Sequence, residues 1–338
     1  MRYDFGSDNT AGMAPAALDA MVSANPGFAR AYGADDVTGR AADEIRRRLD
    51  ADAEIRFVFS GTAANAIALS MLAFPHESVL AHHAAHVCTD ETGAPGFFGQ
   101  GVGLTGLPGF SGKIDPRALV AALEEPEVGH RQPPAALSLT QSTEYGTVYS
   151  TEELRHLIEP VKARGYGVHM DGARLANAAA AGFDLTQIAR LGVDVLVFGG
   201  AKAGALCTEA LVMFDKSMAR RIDNRLKQAG QTASKARFLA SPFLGLLETG
   251  AWEGGAAHAN LMAQTLAAGI ASRTPFVLAH PVEANAVFVR MPTKAHEALT
   301  AAGWACYRFD DGSVRFVCSW ATTQDAVEEL LDAMTEVR

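Results

Sequence analysis

Short apolar runs alternate with longer amphipathic segments through about the first 215 residues of the chain. We interpret six of these runs as β-strands, because they are apolar, short and bounded by turn residues. The predicted strands are Ile55–Ser60, Ser78–Ala81, Ala135–Thr140, Tyr166–Met170, Val193–Phe198 and Glu209–Phe214. The runs are apolar throughout rather than alternating, which is the pattern of strands covered on both faces.

Helix signals fill the gaps between these strands. An apolar helical pattern covers Ala63–Ala73, and proline at the first helical position favours a helix over Pro116–Glu124. Ser150 and Glu153 form a capping box ahead of Leu154–Arg164. Strands that alternate with helices predict an α/β fold, with a mostly parallel sheet sandwiched by helices.

The pattern changes after about residue 250. The glycine-rich segment GAWEGG (Gly250–Gly255) is interpreted as a boundary. The elements predicted after it are a helix over Ala256–Ser272, a strand at Ala286–Met291, a helix at Lys294–Ala302, a strand at Ser313–Cys318 and a helix from about Thr323. We therefore predict a large domain over residues 1–250, N-terminal segment included, and a smaller α+β domain over residues 251–338.

Composition narrows the class of protein. The chain has 338 residues and a formal net charge of −9, which argues against nucleic acid or an anionic membrane surface as its partner. No apolar run approaches the roughly 20 residues that span a bilayer, and the first residues lack a signal-peptide pattern. The four scattered cysteines favour free thiols in a reducing compartment. These features predict a soluble cytoplasmic protein.

Three candidate chemical groups stand directly after predicted strands, where ligands bind in parallel sheets. Asp171 could pair with a protonated ring nitrogen, or could instead cap the next helix. Lys202 lies among glycine and alanine residues that leave room for a bulky aldehyde, although a solvated loop lysine is the alternative. The turn SGTAAN (Ser60–Asn65) could hold a phosphate at a helix N-terminus, or could be a plain cap.

A phosphate cradle, an acid and a lysine in this order are typical of fold-type-I enzymes dependent on pyridoxal 5′-phosphate (PLP). The chain also resembles the threonine aldolase and β-eliminating lyase family. The similar segments run through nearly the whole chain: GSDN, YGADD, SGTAAN, AAHVCTDETGA, MDGAR, FGGAKAG, KQAGQTASKARF, EANAVFV and VRFVCS.

The resemblance implies PLP as the cofactor and assigns residues to it. Lys202 would form a Schiff base with PLP, and Asp171 would pair with the pyridine nitrogen. Gly61 and Thr62 would bind the phosphate. His86 would stack on the cofactor ring.

Further residues would bind the substrate or reach a second subunit. Ser7, Arg174 and Arg315 would approach the carboxylate of an amino acid substrate, and Arg174 would also contact the ring hydroxyl. Surface salt bridges are the alternative for the two arginines. Lys227 would reach the phosphate of a neighbouring subunit, which implies a homodimer or homotetramer with active sites at subunit interfaces.

One segment departs from the family pattern. Many threonine aldolases carry a histidine in an ENTHN-like segment, where this chain reads LTQSTEYG (Leu139–Gly146). Thr143 stands nearest that histidine and is expected to contact substrate in its place, as the QST form resembles a low-specificity bacterial branch. His82, His83 and His86 could supply another base or bind zinc. Because neither an HExxH motif nor a Cys–His pairing accompanies them, we predict no metal.

The implied reaction is retro-aldol cleavage of L-threonine or L-allo-threonine to glycine and acetaldehyde. The general base would be His86 or a water bound to a histidine. The alternatives are an aldolase for another β-hydroxy amino acid such as phenylserine, a β-eliminating lyase and an aminotransferase. A non-catalytic scaffold or a dinucleotide-binding protein is disfavoured, because Lys202 and Asp171 are both present and SGTAAN does not supply GxGxxG.

Overall fold

The computed structural model describes residues 1–126, 128–309 and 311–337. The strands are β1 (Glu54–Val58), β2 (Ser78–His82), β3 (Gly103–Leu107), β4 (Gly109–Phe110), β5 (Lys113–Ile114), β6 (Pro134–Thr140), β7 (Gly167–Gly172), β8 (Val195–Gly199), β9 (Glu209–Met213), β10 (Val277–Leu278), β11 (Ala286–Arg290), β12 (Tyr307–Arg308) and β13 (Val314–Val317). The α-helices are α1 (Pro15–Ser23), α2 (Asp36–Leu49), α3 (Gly61–Leu72), α4 (His86–Thr89), α5 (Ala94–Phe98), α6 (Pro116–Glu124), α7 (Thr151–Lys162), α8 (Leu175–Ala180), α9 (Gln187–Leu191), α10 (Ala219–Gln228), α11 (Arg237–Glu248), α12 (Ala251–Arg273), α13 (Thr293–Ala301) and α14 (Gln324–Glu336).

Seven strands form the main sheet, in the order β1-β9-β8-β7-β6-β2-β3. The pairs β8–β7, β7–β6, β6–β2 and β2–β3 are parallel. Strand β9 runs antiparallel to both of its neighbours, β1 and β8. The six strands predicted from apolar runs all lie in this sheet, so the mostly parallel arrangement is confirmed.

Hydrophobic clusters cover both faces of the sheet. On one face α3 packs against the strands through a cluster that includes Ile67, Val195 and Leu211. A larger cluster that includes Leu157 of α7 and Met170 of β7 also packs against the sheet. Side chains on both surfaces of β8 are therefore buried, which explains its uninterrupted apolar sequence.

A second sheet of four antiparallel strands has the order β10-β11-β13-β12. It packs with α12 and α14 around a separate hydrophobic cluster. The N-terminal residues join this layer, because the Val317 N–H donates to Phe5 O at 2.9 Å and the Phe5 ring lies in the same cluster. The division of the chain at residues 250 and 251 stays a prediction.

The edge strand β3 was not predicted. Its sequence GLTGL has two glycines in five residues, and glycine has a low preference for strands. Gly106 lies close to a neighbouring loop, because a Cβ added there would meet the Cα and Cβ of His83 at 3.1 Å. The close approach of the two backbones accounts for a glycine within this strand.

The helix predicted from Ala256 begins earlier, at Ala251, within the segment GAWEGG. Trp252 is fully buried and stacks on Phe198, with 4.7 Å between ring centroids. Its indole N–H donates to Gly199 O at 2.9 Å. Burial of this large side chain against the end of β8 outweighs the low helix propensity of the nearby glycines.

Among the described residues, no helix is long and apolar enough to cross a membrane. All four cysteines are free thiols, and Cys306 and Cys318 are buried.

Candidate active site

The carboxyl ends of the parallel strands bring several functional side chains to one edge of the main sheet. Asp171 lies near the end of β7, and Lys202 lies in a 3₁₀ turn directly after β8. Helix α3 follows β1, and α4 begins at His86 after β2. Residues far apart in the sequence are thus gathered where ligands bind in α/β folds.

Asp171 is a buried carboxylate, 4% exposed, that the structure keeps ionised. The Ala173 N–H donates to its Oδ1 at 2.9 Å, and the Asn65 amide donates to its Oδ2 at 2.9 Å. Burial opposes ionisation, but the Lys202 charge and these donors hold the pKa of Asp171 below its ordinary value. The buried Asp171 carboxylate therefore supplies a fixed negative charge to the site.

A hydrogen-bonded chain links Asp171 to His86. The Asn65 amide also donates to Glu91 Oε1 at 2.8 Å, and His86 Nδ1 lies 2.8 Å from the same oxygen. Hydrogen bonding to Glu91 raises the pKa of His86, and burial raises the pKa of Glu91. The carboxylate favours a proton on Nδ1, so Nε2 is the ring nitrogen left for other partners.

The position of His86 is fixed at its backbone as well. Its N–H donates to Glu144 Oε1 at 2.8 Å, and the Thr140 hydroxyl donates to the same oxygen at 2.9 Å. Glu144 therefore joins the start of α4 to the segment that follows β6. The His86 side chain remains 39% exposed, so its ring can contact a ligand.

The turn that carries Lys202 is held in place by Glu209. The Gly200 N–H donates to Glu209 Oε2 at 2.8 Å, and a side chain at Gly200 would collide with the Phe243 ring. Lys202 itself is partly buried. Burial and the Arg174 charge lower the pKa of Lys202, which increases the share of neutral, nucleophilic amine.

The N-terminus of α3 offers backbone donors. The Ser60 hydroxyl caps the helix by accepting the Ala63 N–H at 3.3 Å. The N–H groups of Gly61 and Thr62 have no acceptor within the helix, as in the first turn of any α-helix. A Cβ placed on Gly61 would meet nothing within 4 Å, so the space in front of the helix is open to an anion.

Two arginines approach the same edge from different elements. Arg174 makes a two-pronged ion pair with the buried Asp8, with Nε and Nη2 at 2.7 and 2.9 Å from the carboxylate oxygens. Burial disfavours the Asp8 charge, but Arg174 and Lys202 lower the pKa of Asp8 to about 2. Burial and the Arg174 charge lower the pKa of Arg315 to about 10, so Arg315 remains a cation at neutral pH. Among the described residues, neither arginine makes the surface salt bridge considered as the alternative.

The remaining predicted residues lie in different surroundings. Ser7 is partly exposed, and its hydroxyl accepts the Asn9 N–H at 3.2 Å. Lys227 is exposed on α10, with its ammonium 4.9 Å from the ring centroid of Tyr32. Thr143 is 1% exposed, and its hydroxyl is engaged with Ser111 O at 3.2 Å and the Thr147 hydroxyl at 2.8 Å. This burial does not favour contact of Thr143 with substrate.

These groups fit PLP. The ionised Asp171 suits a protonated pyridine nitrogen, the amine of Lys202 suits an aldehyde carbon, and the open end of α3 at Gly61 suits a phosphate. A PLP site needs a negative group at the ring nitrogen. It also needs positive groups or N–H donors around the anionic cofactor phosphate and the substrate carboxylate. The ionised and hydrogen-bonded groups described above are arranged with that polarity.

Comparison with known proteins gives the family of the chain. The sequence profile of the beta-eliminating lyase family matches residues 4–294. The chain belongs to the beta-eliminating lyase family. It is 45% identical over 330 residues to the low specificity L-threonine aldolase of Pseudomonas sp. (strain NCIMB 10558) and 44% identical over 330 residues to that of Pseudomonas aeruginosa, covering 96% of this chain and 95% of each relative. The solved structure of Leishmania major threonine aldolase superimposes with a TM-score of 0.92 at 30% identity, over 99% of both chains.

Membership of the beta-eliminating lyase family confirms several predictions from the sequence. The resemblance to threonine aldolases, the α/β fold of fold-type-I PLP enzymes and a PLP-dependent lyase activity are all supported.

Sequence reasoning missed several residues of this beta-eliminating lyase site. Asn65 lies within the recognised segment SGTAAN, one helical turn after Gly61, so its position on α3 was a usable signal. Asp8 lies within the recognised segment GSDN in the same way. Glu91 and Glu209 carried no local signal, because their importance comes from contacts with His86 and with the turn before Lys202.

In the part of the chain that the structure describes, no three His, Cys, Asp or Glu side chains form a group able to hold a metal ion. His82 is buried, and burial lowers its pKa to about 4. His83 Nδ1 lies 3.1 Å from Leu107 O.

Glu209 makes the stability of the cofactor-free protein depend on pH. Burial raises the pKa of Glu209 from its ordinary value of 4.5 to about 7. Its contribution to stability is therefore complete below the unfolded-state pKa and is lost as the pH rises through the folded-state pKa. We expect Glu209→Gln to remove this loss, so that from about pH 5 to about pH 8 the wild type loses up to about 3 kcal/mol relative to the variant.

Urea unfolding followed by circular dichroism across this pH range measures the difference. The matched control is Glu248→Gln, which neutralises an exposed carboxylate paired with Arg40. Parallel pH profiles for the wild type and Glu209→Gln would contradict the assignment of a buried, titrating Glu209.

Proposed function

We propose that the protein cleaves the Cα–Cβ bond of L-threonine and L-allo-threonine by a retro-aldol reaction, which releases glycine and acetaldehyde. The observation that carries this proposal is the placement of an ionised, buried Asp171 and a partly buried Lys202 at adjacent strand ends, in a chain similar over its length to low-specificity L-threonine aldolases.

PLP, when bound, supplies an electron sink for the electron pair of the broken bond. Lys202 would hold the cofactor covalently through its aldehyde carbon. The negative charge of Asp171 would keep a proton on the ring nitrogen. Gly61 and Thr62 would bind the phosphate with backbone N–H groups, and the His86 ring would lie against the cofactor ring.

The substrate would be oriented by its carboxylate. Arg174 and Arg315 would bind it as cations, and Ser7 would contribute a hydroxyl group. Fixing the carboxylate sets which bond at Cα stands perpendicular to the cofactor ring, and only that bond can break readily. The contribution of these residues is therefore orientation of the substrate.

A base must remove the proton of the β-hydroxyl group. We assign this step to His86 Nε2, or to a water bound there, because Glu91 occupies Nδ1 at 2.8 Å. Positioned general bases contribute about 10²–10⁴-fold to rates. Thr143 is a weaker candidate for substrate contact, since its hydroxyl is already hydrogen-bonded in the interior.

β-Elimination is the second candidate reaction, because the matching family profile is that of the beta-eliminating lyases. The same lysine, acid and arginines would serve it, so the residues do not separate the two reactions. Transamination and cleavage of another β-hydroxy amino acid such as phenylserine use the same groups. The products distinguish these reactions, because cleavage yields glycine and an aldehyde, whereas elimination yields ammonia and a keto acid.

Incubation of the purified holoenzyme with L-threonine should yield glycine and acetaldehyde in equal amounts, measured by chromatography and by a coupled dehydrogenase assay. Lys202→Ala should abolish turnover, because alanine has no amine that could bind the cofactor covalently. The matched control Lys216→Ala removes an exposed lysine that pairs with Asp52 and should leave turnover unchanged. Full activity of Lys202→Ala, or ammonia in place of acetaldehyde, would overturn the proposal.

We also propose that the active enzyme is a homodimer or homotetramer with active sites at subunit interfaces. Lys227 would reach the phosphate bound by the neighbouring subunit. It is exposed, on a helix that does not contribute to the Asp171–Lys202 network, and its contact with Tyr32 holds it at the surface. Tyr32 is itself 61% exposed, as expected for a residue available to a partner.

Complementation between two inactive or weakened variants tests whether Lys227 acts in the active site of the neighbouring subunit. Lys227→Ala should weaken PLP binding by about tenfold or more, the effect of losing a charged hydrogen bond. When Lys227→Ala is refolded or co-expressed with Lys202→Ala, mixed oligomers would contain sites with both lysines and regain activity. Lys235→Ala, another exposed lysine, serves as the control variant. Mixed oligomers without regained activity, or a monomer by light scattering, would contradict the proposal.

The division into a large domain (1–250) and a small domain (251–338) is part of the same proposal, as is a cytoplasmic location. A separate hydrophobic cluster around the second sheet supports the division. The N-terminal residues pack on that cluster, although the chain places them before the large domain.

A further inference from the structure

One short segment at the N-terminus contacts both arginines of the site. Asp8 receives two hydrogen bonds from Arg174, at 2.7 and 2.9 Å, and its residue is only 3% exposed. Two residues earlier, Gly6 O accepts a hydrogen bond from Arg315 Nη2 at 3.4 Å. The segment Gly6–Asp8 therefore lies between the two guanidinium groups.

The two-pronged contact restricts the orientation of Arg174. A guanidinium group carries five N–H donors in one plane, and Asp8 occupies Nε and Nη2 along one edge. Two parallel hydrogen bonds fix both the position and the plane of such a group. Three N–H donors remain, two on Nη1 and one on Nη2, and they form the edge of the guanidinium group that is free to meet another anion.

Asp8 is itself held in place by the second sheet. The Asn285 amide donates to Asp8 Oδ2 at 3.1 Å and to Cys318 O at 2.8 Å. Asn285 O in turn accepts the Cys318 N–H at 2.8 Å, and Phe5 O accepts the Val317 N–H at 2.9 Å. Strand β13, which carries Arg315, is thus joined to the N-terminal segment directly at Phe5, and the residue after the strand is joined to Asp8 through Asn285.

Asp8 also balances the positive charges of the site. Arg174, Lys202 and Arg315 are three cations near one another, and the Asp8 carboxylate interacts electrostatically with all three. Without this anion, repulsion from Lys202 and Arg315 would favour movement of the Arg174 side chain away from the site.

We infer that Asp8 is a positioning residue for substrate binding: it holds Arg174 so that the free edge of the guanidinium group meets the carboxylate of the amino acid substrate. This inference rests on the proposed function, because it takes Arg174 as a ligand of that carboxylate. A buried ion pair that only stabilises the fold is the alternative, and the two differ in which ligands a substitution affects.

The test compares two ligands of the holoenzyme, glycine and methylamine, which is glycine without its carboxylate. Asp8→Asn keeps the shape and one acceptor but removes the charge and loosens the hold on Arg174. We expect the Kd of glycine to rise by more than about tenfold, the effect of weakening a charged hydrogen bond. The Kd of methylamine should stay unchanged, both values being read from the change in cofactor absorbance.

Two matched variants complete the design. Asp4→Asn neutralises an exposed carboxylate in the same N-terminal segment and should alter neither Kd. Asn285→Ser leaves Asp8 and Arg174 in place but removes the amide that supports Asp8, so it should weaken glycine binding selectively and by less than Asp8→Asn. If Asp8→Asn does not fold, Asn285→Ser decides the question alone.

Equal losses for glycine and methylamine would overturn the inference, since a general loss of structure does not depend on the carboxylate. Unchanged glycine binding in both Asp8→Asn and Asn285→Ser would also overturn it. The variant Arg174→Gln distinguishes an error in the role of Asp8 from an error in the proposed function. If Arg174→Gln binds glycine normally, Arg174 is not the carboxylate ligand; if it loses glycine while Asp8→Asn does not, only the role of Asp8 is wrong.

Discussion

A carboxylate remains charged in a protein interior only when donors and cations surround it, and the site depends on this condition at Asp171. Asn65, the Ala173 N–H and Lys202 meet it together. Two of these partners, Asn65 and Lys202, have a second function. Asn65 belongs to the helix whose first turn faces the expected phosphate, and Lys202 is the expected point of covalent attachment.

The same groups connect the acid to the base. Asn65 donates to Asp171 and to Glu91, and Glu91 holds Nδ1 of His86. A substitution at any residue of this hydrogen-bonded series would alter the hydrogen bonding of the next residue in it. The base and the ring-nitrogen partner are consequently held by one network rather than by independent contacts, and its members come from β7, α3, α4 and the loop after α4.

Parts of this arrangement could be predicted from the sequence, because they carry a local signal. Asp171 and Lys202 follow apolar runs directly, and the structure places both at strand ends. Residues defined by distant contacts could not be found in that way: Asp8 and Arg174 are 166 positions apart, and Asn65 and Asp171 are 106 apart. Spacing along a chain contains no information about such pairs.

The errors in the fold have the same origin. Strand β3 has weak local preference and forms because its backbone pairs with β2. The first turn of α12 contains glycines that disfavour a helix, and burial of Trp252 against Phe198 decides its structure. In both places a tertiary contact overrides the local preference of the sequence.

The residue that binds the cofactor covalently can be identified by chemical labelling. The holoenzyme is reduced with sodium borohydride, digested with a protease and analysed by mass spectrometry. We expect a pyridoxyl phosphate group on the peptide that contains Lys202, at that lysine and at no other. A label on a different lysine, or no label on a protein that has been saturated with PLP, would contradict it.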